Sequence, residues 1–193
     1  MNFNLNDNSL VSGGIKVFNN GIAGVVKNVK LSVTKKTPEE QEMSPDYKVI
    51  ITDDDGAFIN QGFYYHKEDS NKSSEQNDKN AGYLVGRIQS VSNSVVPAGF
   101  IYPEVSNKNA NEIVDILFKI INDNCEGKTV NVLATYGRKV NPSQYLGLRF
   151  FDFIESGDAV NSKLKVKGDD MIERMVADES SSKSEEKASS SPW

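Results

Sequence analysis

The chain of 193 residues contains one cysteine, Cys125, and one histidine, His66. A single cysteine cannot form a disulfide within the chain, and one cysteine with one histidine is too few for a zinc site. The same scarcity argues against hydrolases built on a Ser-His or Cys-His pair. The sequence also contains no glycine motif of the kind that binds phosphates or dinucleotides. We therefore expect a protein that is not an enzyme and that uses no metal and no cofactor.

Long apolar stretches are also missing from the sequence. No window approaches the roughly 18 consecutive apolar residues of a membrane-spanning helix. The first six residues lack the basic start and the apolar stretch of a signal peptide. We therefore expect a cytoplasmic protein with no membrane partner.

Acidic charge is concentrated in one part of the chain. The net charge is −5, from 22 basic and 27 acidic residues. Residues 168–193 hold 3 basic and 7 acidic residues, whereas residues 1–167 hold 19 basic and 20 acidic ones. The body is therefore nearly neutral, and the acidic total does not argue against a nucleic-acid partner.

Composition divides the chain into three regions. Residues 1–20 are rich in asparagine and glycine, which predicts a loose lead-in. Residues 168–193 are acidic and serine-rich and end in Pro192-Trp193. Such a segment buries too little apolar surface to offset the entropy of ordering, so we expect a disordered tail. The folded domain is therefore expected over residues 21–167.

Apolar and polar residues alternate over several segments, as in half-buried strands. The predicted strands are 22–36, 46–52, 57–65, 128–136 and 146–155. In the first strand, Val25, Val29, Leu31 and Val33 are expected to face the core. Asp53-Asp54-Asp55-Gly56 predicts a hairpin turn, because its acids lack the spacing of a calcium-binding loop.

The region between the third and fourth strands is predicted to hold one helix. Residues 67–81 contain no large apolar side chain and are expected to form a solvated loop, followed by a short strand over 83–91. Apolar residues recur at helical spacing over 109–123, which predicts a helix. This order predicts a mainly β protein with one helix, an OB-fold-like barrel of five strands with the insertion 66–106. A β-sandwich with one helix is the alternative.

The β-rich body, followed by a serine-rich acidic tail that ends in Pro192-Trp193, resembles the phage-type single-stranded DNA-binding proteins. The resemblance implies an OB-fold body that coats and protects exposed strands during DNA replication, recombination and repair. It also implies that Pro192 and Trp193 bind replication or recombination proteins. A virion or assembly protein is the alternative function, and it predicts stable homo-oligomers without salt-sensitive binding to DNA.

Binding of single strands requires cations along the phosphates and flat side chains on which bases stack. The candidate residues for this role are Lys30, Lys35, Lys36, Lys48, Tyr64, Tyr65, Arg87, Tyr136, Arg138, Lys139 and Arg149. Tyr64 and Tyr65 are neighbours in a predicted strand, so only one of them can face the site. The side chains expected in the core instead are Phe58, Phe63, Phe118, Phe150 and Phe153.

Overall fold

The computed structural model describes residues 17–136, 147–148 and 154–166. The elements within these ranges are, in chain order, β1 (Gly24–Lys35), β2 (Tyr47–Thr52), β3 (Phe58–Phe63), α1 (Ser74–Val95), α2 (Ala110–Cys125), β4 (Thr129–Thr135), β5 (Gly147–Leu148) and β6 (Ile154–Ser156). A short 3-10 turn, Phe18–Gly21, precedes β1. Neither of these two helices combines the length and the apolar character that crossing a bilayer requires.

The strands form one antiparallel sheet in the order β3-β2-β1-β4-β5, and β6 pairs with another part of β4. The sheet therefore has five positions, the last of which is shared by β5 and β6. Cα atoms of β5 come within 8 Å of those of β3, so the two ends of the sheet approach each other. Within the described ranges no hydrogen-bonded pairing joins β3 to β5. The mainly β character is confirmed, whereas a closed barrel is not.

Most of the predicted strands are present. The strands expected over 22–36, 46–52, 57–65 and 128–136 correspond to β1, β2, β3 and β4, with ends that differ by at most two residues. The strand expected over 146–155 overlaps β5 and the start of β6, and the residues between these two lie outside the described ranges. The Asp53–Gly56 turn is also confirmed, because the Gly56 N–H donates to the Asp53 carbonyl at 3.1 Å.

The first helix is the main departure from the expected fold. The strand predicted over 83–91 is wrong, and the loop predicted over 67–81 is wrong from residue 74 onward, since both fall in α1. The buried apolar side chains of α1, at intervals of three and four, are Ile88, Val91 and Val95. That spacing places them on one helical face, and it outweighs the strand preference of the individual valines and isoleucines.

Both helices begin at a capping box. The Ser73 hydroxyl accepts the Gln76 N–H, and the Gln76 side chain accepts the Ser73 N–H. Asn109 and Glu112 form the same reciprocal pair at the start of α2. These pairs satisfy backbone donors that a helix leaves unbonded at its first turn. The helix predicted over 109–123 is confirmed as α2.

A β-bulge changes which residues of β1 face the core. The pairing of β1 with β4 shifts between Val26 and Val29, where Asn28 has a φ of 56°. The Asn28 N–H donates to Oδ1 of Asn131, which is buried, at 3.0 Å. Because the bulge adds one residue, Val26 and Val29 are both buried, whereas Val25 is 38% exposed. The expectation that Val25 faces the core is therefore wrong.

The main core lies between one face of the sheet and the two helices. Tyr47 of β2 stacks on Phe118 of α2 with 4.0 Å between ring centroids and an angle of 5° between their planes. Phe63 of β3 meets Phe118 edge to face, at 5.7 Å. Phe18, from the segment expected to be a loose lead-in, is also buried in this core. Stacked and edge-to-face pairs of this kind contribute stability beyond their buried area.

Candidate nucleic-acid interface

The opposite face of β1, β2 and β3 presents polar and aromatic side chains to solvent. Cross-strand pairing aligns them in three rows. We call this set the outer face, and its rows are Lys30-Thr52-Phe58, Ser32-Ile50-Asn60 and Thr34-Lys48-Gly62. All nine residues are exposed or half-buried, whereas their neighbours along β1 and β2 alternate into the core. The outer face is therefore the exposed side of three strands of the sheet, whose other side packs against the core.

Phe58 is the exposed aromatic side chain at one end of this face. It lies opposite Thr52 and is 59% exposed, so its predicted place in the core is wrong. The register between β2 and β3 sets the orientation of Phe58. Ile51 and Ile59 pair on the core side, which leaves Thr52 and Phe58 on the outer face. A large apolar ring held in solvent by a paired strand suits stacking with a flat ligand.

Tyr64 is the aromatic side chain at the other end of the outer face. It follows β3 directly and is 57% exposed. Its Cε2 lies 3.9 Å from the position that a Cβ on Gly62 would take, which places the ring beside the Thr34-Lys48-Gly62 row. Tyr65 turns to the other side, where its ring meets Tyr47 edge to face. Of the two adjacent tyrosines, Tyr64 is thus the one on the outer face.

The loop between β1 and β2, residues 36–46, closes one end of the outer face. A Cβ on Gly62 would lie 2.8 Å from Cβ of Pro45, so only glycine allows this approach without displacement. The Lys36 N–H donates to the Asp46 carbonyl at 2.9 Å, and the Lys36 ammonium donates to the Glu42 carbonyl at 2.8 Å. These contacts hold the loop against the end of the sheet.

The two lysines of the outer face differ in their surroundings. Lys30 is exposed, and within the described ranges no acidic side chain pairs with it. Lys48 is half-buried and forms an ion pair with Glu40 at 2.8 Å. The hydrogen bond from Lys48, aided by the Thr37 N–H, lowers the pKa of Glu40. Among the described residues, the outer face therefore carries one lysine without an acidic partner, Lys30, and one lysine paired with an acidic loop residue, Lys48.

Lys35 and Tyr65 belong to a polar cluster on the helix side of the sheet. Oδ1 of Asp115 accepts hydrogen bonds from the hydroxyls of Tyr47 and Tyr65 and from the Lys35 ammonium, the last at 3.3 Å. The ammonium also lies 5.2 Å from the centroid of the Tyr47 ring. We call these four residues the Asp115 cluster. It fastens α2 to β1, β2 and the end of β3.

The hydrogen bonds of this cluster perturb its titrating groups. Partial burial alone would raise the pKa of Asp115, but the bonds from Tyr47, Tyr65 and Lys35 outweigh it, and the pKa lies below its usual value. Burial and the bond to the carboxylate raise the pKa of Tyr47 to about 12. The same two causes raise the pKa of Tyr65. The ionised carboxylate and the neutral phenols are therefore the states that this arrangement favours.

Two further candidates, Arg87 and Tyr136, lie apart from the outer face. Arg87 is on α1, where its guanidinium carbon lies 5.3 Å from the centroid of the buried Phe63 ring. Burial lowers the pKa of Arg87. The Tyr136 hydroxyl donates to the carbonyl of Gly21, the last residue of the 3-10 turn that precedes β1. The candidates that lie outside the described residues are Arg138, Lys139, Arg149, Pro192 and Trp193.

The acidic turn between β2 and β3 is accounted for by backbone hydrogen bonds. Oδ1 of Asp53 accepts the Ala57 N–H and Oδ2 accepts the Asn19 N–H, both at 2.8 Å. Within the described ranges, no three side chains of histidine, cysteine, aspartate or glutamate are grouped so that they could hold a metal ion. Asp53 therefore joins the hairpin turn to the segment before β1.

Comparison with protein-family models, with curated proteins and with solved structures finds no match. Function is therefore inferred from the sequence and from the chemistry of the outer face. Of the residues on or beside the outer face, the sequence analysis named Lys30, Lys48 and Tyr64 as candidates and placed Phe58 in the core. Its signal was the alternation of β3, because Phe58 shares a face with Asn60 and Tyr64 rather than with the buried Ile59 and Phe63.

Proposed function

We propose that this chain is a sequence-independent single-stranded DNA-binding protein whose outer face holds the strand. The observation that supports it most is that two exposed aromatic rings, Phe58 and Tyr64, share one face of the sheet with two lysines of the adjacent strands. Phosphates would lie along Lys30 and Lys48, and bases would stack on the rings. The protein performs no chemistry in this role and coats exposed strands during replication or recombination.

The dimensions of the outer face suit a short stretch of single strand. Phe58 and Tyr64 are six residues apart, which at about 3.3 Å per residue separates them by roughly 20 Å. At about 3.4 Å per stacked nucleotide, that distance accommodates about six nucleotides. Contacts through aromatic faces and phosphates are the same for every base, so the proposed binding is tolerant of sequence.

The connectivity of the sheet supports the same proposal. The order β3-β2-β1-β4-β5, the helices between β3 and β4, and the approach of β5 to β3 fit an OB-type barrel that is only partly closed. In such folds the second and third strands carry the binding face. Phe58, Asn60 and Lys48 lie on those two strands.

In the proposed role, residues 168–193 act as an acidic tail with two effects. Their net negative charge competes with DNA for the lysines, and this effect weakens as salt screens it. Pro192 and Trp193 form an apolar tip that binds replication or recombination proteins. Neither effect depends on a fixed structure of the tail.

Fluorescence anisotropy with a labelled thymidine oligomer tests this function. We expect the logarithm of the binding constant to fall linearly with the logarithm of the salt concentration. The expected slope is about −0.7 per phosphate neutralised. A mixed-sequence oligomer of equal length is the control, and its affinity is expected to agree within about threefold. Absence of binding at low salt, or affinity that salt does not change, would contradict the proposal.

A further inference from the structure

A small apolar pocket lies between the two helices, on the side of the sheet away from the outer face. Its volume is about 120 Å³. The residues that line it are Val85, Gln89, Tyr102, Pro103, Val105, Ile113, Ile116 and Leu117. Its polar groups are the Gln89 amide and the Tyr102 hydroxyl, and the hydroxyl is hydrogen-bonded to Asn93. Such a pocket matches one large side chain that is apolar over most of its surface and carries a single hydrogen-bonding group.

The described part of the chain ends near this pocket. Lys163, three residues before the end of the last described range, lines a cleft together with Asn93 of α1. Asn93 accepts a hydrogen bond from the Tyr102 hydroxyl at 2.7 Å, and Tyr102 lines the inter-helix pocket. Asn93 therefore links the cleft that Lys163 lines to the wall of the inter-helix pocket.

We propose that Trp193 of the same chain docks in this inter-helix pocket. Residues 167–193 contain few large apolar side chains, and Trp193 is the only tryptophan in the sequence. Its indole ring fits an apolar lining with an aromatic and a proline wall, and its N–H donor matches the side-chain carbonyl of Gln89. Pro192 beside it restricts the backbone and so reduces the entropy lost on docking.

The length of the intervening chain allows this contact. Residues 167–193 are 27 residues, for which a flexible chain has an end-to-end distance of about 29 Å. The pocket lies within that reach, since Asn93 lines the same cleft as Lys163 and accepts a hydrogen bond from Tyr102 of the pocket wall. A tether of this kind gives an effective concentration of about a millimolar. A pocket that binds the tip with a millimolar dissociation constant is then about half occupied.

This docking is independent of the proposed DNA binding, because the pocket and the outer face lie on opposite sides of the sheet. If both hold, the pocket competes with other proteins for the same aromatic tip. If a partner displaces Trp193 from the pocket, the affinity of the outer face for DNA is not expected to change directly. The two proposals therefore fail or succeed separately.

Intrinsic tryptophan fluorescence of the full chain tests the proposal without DNA, since Trp193 is the only emitter of its kind. We expect an emission maximum at shorter wavelength than that of a peptide of residues 178–193. We also expect quenching by acrylamide about twofold weaker than in the peptide, as half occupancy requires. Emission and quenching equal to those of the peptide would overturn the proposal. A shift that disappears on dilution would also overturn it, because it would indicate docking on a second copy.

Two pocket variants and one matched control assign the signal to the pocket. Ile116→Lys, on α2, and Val105→Lys, in the segment before it, place a charge in the lining. Ile22→Lys is the control, because Ile22 is 64% exposed and lies outside the pocket. Both pocket variants are expected to return the emission and the quenching to peptide values, with the fold verified by circular dichroism. If Val105→Lys folds and leaves the emission unchanged, the pocket is not the docking site.

Discussion

Phe58 lies directly opposite Thr52 in the pairing of β2 with β3, on the face of the sheet that the helices do not cover. The partners that flank this pair along the two strands, Ile51 and Ile59, are buried. The core thus fixes the backbone beneath the exposed ring. A ring held in this way loses little entropy when a flat ligand stacks on it.

Replacing Phe58 with alanine is expected to weaken DNA binding without unfolding the protein. One stacked base contributes about 1–3 kcal/mol by alanine substitution, which corresponds to a loss of affinity of about 5- to 150-fold. Because the side chain is 59% exposed, the free energy of unfolding is expected to change by less than about 1 kcal/mol. Anisotropy and urea titrations measure the two quantities. Tyr83→Ala, which removes a 52% exposed ring from α1, is the control and is expected to leave binding unchanged.

Removing the acid that pairs with Lys48 is expected to tighten DNA binding. Glu40→Gln breaks the 2.8 Å ion pair and leaves the Lys48 ammonium available to a phosphate. We expect affinity to rise about two- to fivefold at low salt and the gain to shrink as salt increases. Glu39→Gln removes the same charge from the neighbouring exposed position and is the matched control. Equal effects of the two substitutions would show that the ion pair itself does not restrict binding.

Adding a methyl group at Gly62 is expected to destabilise the protein. A Cβ there would meet Pro45 at 2.8 Å, so the β1–β2 loop or the strand must shift. Overpacking of this kind costs about 1–3 kcal/mol of unfolding free energy. Gly82→Ala in α1 is the control, because no atom lies within 4 Å of its added Cβ. Since alanine favours a helix more than glycine does, the control is expected to gain about 0.5–1 kcal/mol. A stable Gly62→Ala variant would contradict the close approach.

The Asp115 cluster is expected to make stability depend on pH in the acid range. The lowered pKa means that the ionised carboxylate stabilises the fold. This contribution is complete above the usual aspartate value of about 3.9 and disappears as the pH falls through the lowered pKa. Asp115→Asn is therefore expected to cost about 1–2 kcal/mol at pH 7, a modest figure because the side chain is 45% exposed, and much less at about pH 2.

Asp123→Asn is the control for this prediction. It removes a carboxylate whose partner, Lys119, lies one turn away on the exposed face of the same helix. Such pairs contribute about 0.3–0.5 kcal/mol. Urea titrations between pH 2 and pH 7 compare the two variants. If Asp115→Asn loses no more stability than Asp123→Asn, or if its loss persists unchanged at pH 2, the cluster does not stabilise the fold.

β2 and β3 were predictable because apolar and polar residues alternate along the length that their pairing uses. α1 was not, because Gly86 and three serines interrupt its apolar positions and a window of nine residues cannot distinguish the two periods there. The bulge in β1 depends on Asn131, which lies 103 residues along the chain from Asn28. No local pattern in β1 contains that contact.

The candidate site also contains some residues whose positions the sequence predicts and others whose positions it does not. Alternation places Lys30 and Lys48 outside the core, and both lie on the outer face. The opposite orientations of Tyr64 and Tyr65 follow from strand geometry, but which of them is exposed depends on Asp115 of α2. The sequence predicted Arg87 on a strand with an exposed side chain. Its segment is helical instead, and its guanidinium lies over the ring of the buried Phe63. Contacts between distant elements decided the positions of Tyr64, Tyr65 and Arg87, whereas local alternation sufficed for the two lysines.

Photochemical crosslinking tests most directly whether the outer face holds the strand. An oligomer carrying 5-bromodeoxyuridine in place of thymidine is irradiated with the full chain, and the modified peptides are identified by mass spectrometry. We expect crosslinks to Phe58 or Tyr64 to dominate and Tyr83 on α1 to remain unmodified. Efficient crosslinking that leaves both Phe58 and Tyr64 unmodified, or that falls on the helices, would show that the outer face does not hold the strand.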